Sequence, residues 1–146
     1  MREKKNIKLD IVNLLDEIQN GKYSNIQMNY YFSQNEYSKK EREFITNIIN
    51  VTLKNLIFVD YMLGQTVRNI QKRKIKQLLR ISVAQILFMD SDNAGVVYEA
   101  GEISKIINKH QTGFVNATLQ AIIKNKEEII NAIPEDKREG IIYSYP

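Results

Sequence analysis

Residues 38–64 read SKKEREFITNIINVTLKNLIFVDYMLG, and this stretch decides the class of fold. Ser38 and Glu41 have the spacing of a capping box, in which the serine hydroxyl and the glutamate carboxylate bond the free backbone amides of a helix start. Apolar residues then recur every three or four positions from Phe44 to Leu63, which is the period of an α-helix. The pattern predicts a helix of about 25 residues, roughly 38 Å long. Because it has two apolar sides, we expect this longest helix to be the central element.

The rest of the chain has the same helical period. Both prolines lie near the carboxyl end, at positions 134 and 146, so no proline interrupts an earlier helix. Further helices are predicted at about 3–19, from Ser24, through a basic segment to Met89, at about 94–109, and from about 114 to Ile133. The sequence therefore predicts an all-α bundle of about six to seven helices. Pro134 is expected to end the last helix, so the folded domain is predicted over residues 1–133.

The composition excludes several classes of site. The 146 residues contain no Cys and a single His, which excludes disulfides, thiolate zinc sites and cysteine nucleophiles. No apolar run approaches the ~18 residues that a membrane helix needs, and the amino terminus is charged rather than apolar. The sequence predicts a cytoplasmic protein with no metal site, no catalytic residue in this chain and no contact with a membrane.

Positive charge is concentrated in one part of the chain. The net charge is +4, from 21 basic and 17 acidic residues, and residues 61–89 hold six of the basic residues and no acidic one. Lys72, Lys76 and Arg80 recur every four positions and so share one helix face. Such a face suits the phosphates of RNA, and basic residues near the amino terminus extend the candidate site. The RNA-binding candidates are Arg2, Lys4, Lys5, Lys8, Arg68, Lys72, Arg73, Lys76 and Arg80.

Each candidate feature also has a purely structural interpretation. The basic stretch at 68–80 could be a solvated helix face, and Arg80 could pair internally with Glu99. The tyrosines at 23, 30, 31 and 37 could stack on unpaired bases, although packing at the edge of a core is the commoner role of such residues. Asn116 is expected to bond the backbone near a helix start, and His110 to lie at a helix end.

Short motifs follow one another in the order found in a known family. They are residues 21–25 (GKYSN), 41–44 (EREF) with Thr46, 52–54 (TLK) with Asp60, 78–80 (LLR), 85–88 (QILF), 99–100 (EA) with Lys105, and 113–117 (GFVNA). Together, over roughly residues 5–124, they resemble the NusB-like domain at the amino terminus of Sun-type 16S ribosomal RNA cytosine-5 methyltransferases, a relative of the antitermination factor NusB. The sequence departs from that pattern at Lys5, Val51, Tyr98 and Gln120, which alters the arrangement of cations.

The resemblance implies a NusB-like fold and a role as an accessory domain that binds ribosomal RNA and positions it for a following methyltransferase domain. Residues 143–146 (YSYP) resemble the element that leads into that domain, so residues 134–146 are interpreted as the start of a linker. The full-length enzyme is expected to use S-adenosylmethionine. This chain has no Cys to add to a base and no glycine-rich turn of the dinucleotide-fold kind, so we expect no cofactor and no catalysis from it alone.

Two other functions stay open. The chain could be a free-standing antitermination factor of the NusB type, binding a short RNA element and a ribosomal-protein partner of the NusE type. It could instead be a helical protein-interaction module with no RNA partner.

Overall fold

The computed structural model describes residues 6–142, and all the regular elements in that part of the chain are helical. They are α1 (Ile7–Gln19), α2 (Ser24–Gln34), α3 (Lys39–Lys54), α4 (Leu56–Thr66), α5 (Arg73–Phe88), α6 (Asn93–Asn108), a 3-10 turn (Lys109–Gln111), α7 (Thr112–Asn131) and α8 (Glu135–Ile142). The prediction of an all-α bundle is confirmed. The described part holds one or two more helices than expected, because one predicted helix is divided and another follows Pro134.

The centre of the bundle is α5. Every residue from Gln77 to Ile86 is buried, whichever side of the helix it lies on. The surrounding helices α1, α3, α4, α6 and α7 all pack against α5. A helix that is enclosed on all sides needs apolar or internally bonded residues around its whole circumference. The sequence pattern placed the stretch 38–64 at the centre and made it the longest helix, and both predictions are wrong: the longest described helix is α7, with 20 residues.

The stretch 38–64 is divided at Asn55. The predicted capping box is confirmed at its start, since the Ser38 hydroxyl accepts from the Glu41 amide at 3.1 Å and the Ser38 amide donates to the Glu41 carboxylate at 2.8 Å. At the other end, Asn55 Nδ2 donates to the Val51 carbonyl at 2.9 Å. The same carbonyl also accepts from the Asn55 backbone amide at 3.2 Å, and the chain continues as α4 at the next residue.

The helices α1 and α5 run antiparallel. Asp16, near the end of α1, lies 2.8 Å from the Nε of Arg73, the first residue of α5. Lys8, near the start of α1, donates to the side chain of Gln85, close to the end of α5. After α1 the chain reverses at Gly21, whose φ of +100° is the left-handed region that glycine favours. Helix α2 begins at Ser24, where the sequence predicted a helix start, and Tyr23 before it makes no side-chain cap bond.

The segment after Pro134 is helical as far as the structure describes it. Helix α8 packs against α4, and Ile141 lies against the core of the bundle. Ile133, just before the proline, is itself buried. The interpretation of residues 134–146 as a linker, and of 133 as the end of the domain, stays a prediction, and the YSYP motif lies outside the described residues.

Candidate nucleic-acid interface

The predicted RNA-binding residues fall into three groups. Arg2, Lys4 and Lys5 lie outside the described residues. Lys8 and Arg80 are buried and bonded inside the bundle, and Arg73 is held by an ion pair. Arg68, Lys72 and Lys76 have no ion-pair or hydrogen-bond partner among the described side chains.

Lys8 is an internal residue of the α1–α5–α6 contact. Its ammonium group donates to the Gln85 side chain and lies 3.4 Å from the carboxylate of Glu99. Burial lowers the pKa of Lys8 to about 8, although the neighbouring Glu99 acts in the opposite direction. A lysine that is 3% exposed and bonded on the inside offers no charge to a phosphate on the surface.

Arg80 is also turned inward. Its Nε and Nη2 atoms donate to the two carboxylate oxygens of Asp60, each at 2.8 Å, and its Nη1 donates to Gln77 at 3.1 Å. This two-bond fork is the strongest geometry for an arginine and a carboxylate. The internal role suggested by the sequence is therefore correct, but the partner is Asp60 on α4 and not Glu99, which pairs with Lys8. Arg80 and Lys8 are therefore not part of the cationic surface of the bundle.

Arg73 closes over a buried carboxylate. Asp16 is 4% exposed, and the Arg73 side chain, which is itself largely exposed, supplies its ion-pair partner. An RNA phosphate would have to compete with Asp16 for this guanidinium, and moving it would leave a buried carboxylate uncompensated. Arg73 is therefore better explained as the tie between α1 and α5.

A cationic surface remains at the α4–α5 connection. It consists of Arg68, Lys72, Lys74 and Lys76, which extend from the loop into the first turn of α5. Arg68 and Lys76 line a shallow cleft with Gly64 and Asn69, at the end of α4. Lys74 is not among the residues predicted from the sequence, because it lies off the four-residue spacing, but it is exposed and in the same turn. An open cleft with flexible cations around it can accept a phosphate without breaking an internal bond.

The two halves of the predicted site are at opposite ends of α5. Gln85, which marks the position of Lys8, is 12 residues after Arg73 in the same helix. This separation is about 18 Å along the helix axis. The structure therefore does not bring Lys8 together with the cationic surface.

The tyrosines divide into two internal and two exposed residues. Tyr37 is buried and donates to Asp10 at 2.6 Å, and Tyr31 is half-buried; burial raises the pKa of both, helped by Asp10 and Glu17 respectively. Tyr23 and Tyr30 are exposed on α2 and its start. Packing at the edge of the core therefore explains Tyr31 and Tyr37 but not Tyr23 and Tyr30.

The remaining candidates add no binding chemistry to the cationic surface. Asn116 is exposed and makes no side-chain bond among the described residues, so its expected backbone contact is not found. His110 lies exposed in the 3-10 turn at the end of α6. Within residues 6–142 there is no group of three or more His, Asp or Glu side chains placed to hold a metal ion.

Comparison with known proteins supports the assignment made from the motifs. The family model described as the NusB family matches residues 5–124. The chain therefore belongs to the NusB family. The matched range contains every residue of the cationic surface, whereas α8 lies beyond it.

The relatives of this NusB-family chain carry two different names. A "Probable ribosomal RNA small subunit methyltransferase B" of Bacillus subtilis is 34% identical over 124 residues, which is 82% of this chain but 28% of that protein. A "Transcription antitermination protein NusB" of Campylobacter jejuni is 24% identical over 132 residues, which is 87% of this chain and 100% of that protein. A protein of the same name from Nitratiruptor is 29% identical over 90 residues, 58% of this chain and 65% of the relative.

None of the helices described for this NusB-family chain is long and apolar enough to cross a membrane. The α4–α5 connection brings together four cations, Arg68, Lys72, Lys74 and Lys76, within nine residues that include no acidic residue. Charge and spacing in the sequence predict Arg68, Lys72 and Lys76, but they do not distinguish these residues from Arg73 and Arg80. The partners of these two arginines are Asp16 and Asp60, which are distant in sequence.

Proposed function

We propose that this NusB-family domain binds ribosomal RNA through the cationic surface and acts as the accessory domain of a 16S ribosomal RNA cytosine-5 methyltransferase. The observation that carries the proposal is that Arg68, Lys72, Lys74 and Lys76 are free of internal partners in the described structure. The 34% identity to a protein named as a small-subunit ribosomal RNA methyltransferase supports the enzyme class. The chain spans 28% of the length of that relative, so the activity is proposed for a longer protein.

The RNA-binding domain and the catalytic domain of the proposed enzyme would have different roles, because their chemistry differs. Lysines and arginines on a rigid helix neutralise phosphates and release counterions, which gives affinity with little choice of sequence. The choice of the target base then belongs to the catalytic domain. The nucleophile would also belong to that domain, because this chain has no Cys. S-adenosylmethionine would bind there too, because the described part of this chain has no strand from which a cofactor-binding turn could start.

A second function is favoured by a different comparison. The alignment with the Campylobacter antitermination protein covers 100% of that protein, which has the size of this domain. A free-standing antitermination factor, with RNA and a ribosomal protein of the NusE type as partners, is therefore the alternative. An antibody raised against this chain distinguishes the two in a cell extract. A product much larger than 17.0 kDa supports the methyltransferase, and one of that mass supports the free factor.

A salt titration tests the RNA-binding function common to both. The affinity for a fluorescent ribosomal RNA fragment is measured at several salt concentrations for the wild type and for a variant with Arg68, Lys72 and Lys76 changed to Gln. With about four phosphates engaged, the slope of log K against log salt should be about −3, at roughly 0.7 per contact with unpaired RNA. The triple variant should flatten that slope by about two units.

A matched control removes the same charge elsewhere. Lys40, Lys109 and Lys124 are exposed and lie on other elements, and changing them to Gln should leave most of the slope in place. Equal slopes for the wild type and the α4–α5 variant would contradict the proposal and favour a protein-interaction module.

A further inference from the structure

One side of α2 exposes three large side chains to solvent. Tyr23, which immediately precedes the helix, is 74% exposed, Ile26 is 60% exposed and Tyr30 is 56% exposed. The Tyr30 ring meets the Tyr31 ring edge to face at a centroid distance of 6.3 Å, and more than half of Tyr30 still lies in solvent. Together with Ser33, the three exposed residues form what we call the outer face of α2. A cluster of exposed apolar side chains typically marks an interaction site.

The opposite side of α2 accounts for its position in the fold. Met28 is buried against the core, and Gln27 Nε2 donates to the Glu17 carboxylate of α1 at 3.1 Å. The Phe32 ring meets the Tyr37 ring edge to face at a centroid distance of 5.9 Å. These contacts hold α2 on α1 without help from the outer face. The fold therefore does not require large apolar side chains there.

The spacing of the outer face is its own complement. Positions 23, 26, 30 and 33 are separated by three, four and three residues, which is the a and d spacing of helices that pair side by side. This spacing reads the same in both directions about position 28. Two α2 helices that run antiparallel across a two-fold axis at that position would place each Ile26 against Tyr30 of the second copy. Each Tyr23 would lie opposite Ser33 of the second copy.

The charges at the ends of α2 favour the antiparallel arrangement. Residues 23–35 contain neither an acidic nor a basic side chain, so the face itself adds no repulsion. Lys22 lies just before this segment and Glu36 just after it, and both are exposed. A parallel pair would bring like charges together at each end. An antiparallel pair brings Lys22 of one copy to the end that carries Glu36 of the other, twice.

The outer face has the size of a weak interface. The two tyrosines expose on the order of 250 Å² on each copy, at roughly 200 Å² for a whole aromatic side chain. With Ile26, Asn29 and Ser33 included, two copies would bury about 900 Å² in total, near the lower limit for a specific contact. The pairing should therefore be reversible, with a dissociation constant of about 10–500 µM.

We infer that the outer face of α2 binds a second copy of this chain, so that two α2 helices pair antiparallel across a two-fold axis at position 28. This inference goes beyond the proposed function and does not depend on it. An identical partner related by a two-fold axis requires a face that complements itself in both shape and charge. The symmetric spacing and the opposite charges at the two ends meet that requirement, whereas a different protein or a nucleic acid would need neither.

Sedimentation velocity of the 146-residue chain tests the inference. Concentrations from about 5 µM to about 1 mM span the expected dissociation constant. The measured mass should rise from 17.0 kDa toward twice that value as the concentration increases. Ile26→Gln together with Tyr30→Gln should weaken the association by roughly 10-fold or more, because both side chains lie at the centre of the pair. A wild-type chain that stays monomeric over the whole range would overturn the inference.

The matched control uses the same two residue types on another helix. Tyr98 and Ile106 are 71% and 59% exposed on α6, and Tyr98→Gln together with Ile106→Gln should leave the association unchanged. Circular dichroism checks that both double variants keep the helix content of the wild type. An equal loss in the α6 variant, or no loss in the α2 variant, would overturn the inference.

Reversal of charge tests the antiparallel orientation. Lys22→Glu should weaken the dimer by roughly 5-fold, because two acidic residues then meet at each end. Adding Glu36→Lys exchanges the two charges and should restore most of the association. In a parallel pair, Lys22→Glu would replace one contact between like charges by another and change little. A dimer that is insensitive to Lys22→Glu, or that Glu36→Lys does not restore, would contradict the antiparallel pairing.

RNA binding is measured separately on the same proteins. The variant with Arg68, Lys72 and Lys76 changed to Gln should self-associate like the wild type, because none of these residues belongs to the outer face of α2. The Ile26 and Tyr30 variant should keep the wild-type slope of log K against log salt, because it loses no cation. A chain that dimerises without binding RNA would contradict the proposed function alone. A chain that binds RNA and never dimerises would contradict this inference alone.

Discussion

The guanidinium of Arg80 forms a two-bond fork with the carboxylate of Asp60, with both N–O distances at 2.8 Å, and so joins α5 to α4. Arg80 is 7% exposed, whereas the Asp60 side chain is partly exposed. Removing the carboxylate would therefore leave a buried cation with only amide partners at Gln77 and Gln19. The loss in unfolding free energy from such a change comes mainly from the buried charge that is left without its ion-pair partner.

We expect Asp60→Ala to lower the free energy of unfolding by about 2–3 kcal/mol, less than for a fully buried pair because Asp60 is partly solvated. Urea unfolding followed by circular dichroism measures the loss. Asp90→Ala, an exposed carboxylate in the α5–α6 connection, is the control and should stay within about 0.5 kcal/mol of the wild type. A loss below that limit for Asp60→Ala would mean that Arg80 finds another partner.

The pair also shows what the sequence can and cannot reveal. The spacing of Lys72, Lys76 and Arg80 is that of one helix face, and charge alone gives all three the same interpretation. Arg80 differs because Asp60 lies opposite it, 20 residues earlier in the chain. Pairing across helices depends on how they pack, and no local pattern records it. The Ser38–Glu41 capping box is formed within four residues and was predictable for that reason.

The errors in the helix pattern have a similar cause. The apolar period continues through Asn55, where the helix is divided and the Asn55 side chain bonds the Val51 carbonyl. In α5 the polar residues Gln77, Ser82 and Gln85 interrupt the apolar pattern, which predicts a helix with one exposed side. All three are buried, and Gln77 and Gln85 bond Arg80 and Lys8. Gln77 bonds Arg80 within α5 and Gln85 bonds Lys8 of α1, so a polar residue with an internal partner can lie in a core that composition alone would place at the surface.

The buried Lys8 should make stability depend on pH. The pKa of Lys8 is about 8 in the folded state, whereas the ordinary lysine value of 10.5 applies in the unfolded chain. Between these values the unfolded chain binds a proton that the folded chain does not, so stability rises with pH. We expect a gain of about 2 kcal/mol from pH 8 to 9.5 relative to Lys8→Met, which has no group to titrate there.

Urea unfolding of both proteins at several pH values measures that difference. Above about pH 10 the stability of both proteins should fall, because the raised pKa of Tyr31 and of Tyr37 in the folded state makes the unfolded chain lose these protons first. Parallel curves for the wild type and Lys8→Met between pH 8 and 9.5 would show that Lys8 stays charged in the folded state.

Helix α8 should contribute to the stability of the bundle. Ile141 lies against the core and α8 packs on α4, so cutting the chain after Ile133 exposes apolar surface. We expect the cut to cost about 1–2 kcal/mol and to lower the melting temperature by roughly 3–8 °C. The control is a cut after Ile142, which removes residues 143–146 alone. If the two shortened chains melt at the same temperature as the full chain, residues 134–146 behave as the linker that the sequence predicted.

Arg73 should contribute to stability and Lys76 to RNA binding, although the two residues are three positions apart in one helix. Arg73→Gln leaves Asp16 buried without its ion pair, and because the guanidinium is largely exposed we expect a loss of about 1 kcal/mol in unfolding free energy. Lys76→Gln breaks no described bond and should change stability by less than about 0.5 kcal/mol.

RNA binding by the same two variants should show the reverse order. Lys76→Gln should flatten the slope of log K against log salt by about 0.7, the value for one phosphate contact with unpaired RNA. Arg73→Gln should leave the slope unchanged, because its charge is already engaged by Asp16 at 2.8 Å. Arg73→Lys, which keeps the charge, should recover part of the lost stability. If Arg73→Gln flattens the slope as much as Lys76→Gln, the guanidinium leaves Asp16 when RNA binds, and Arg73 belongs to the cationic surface after all.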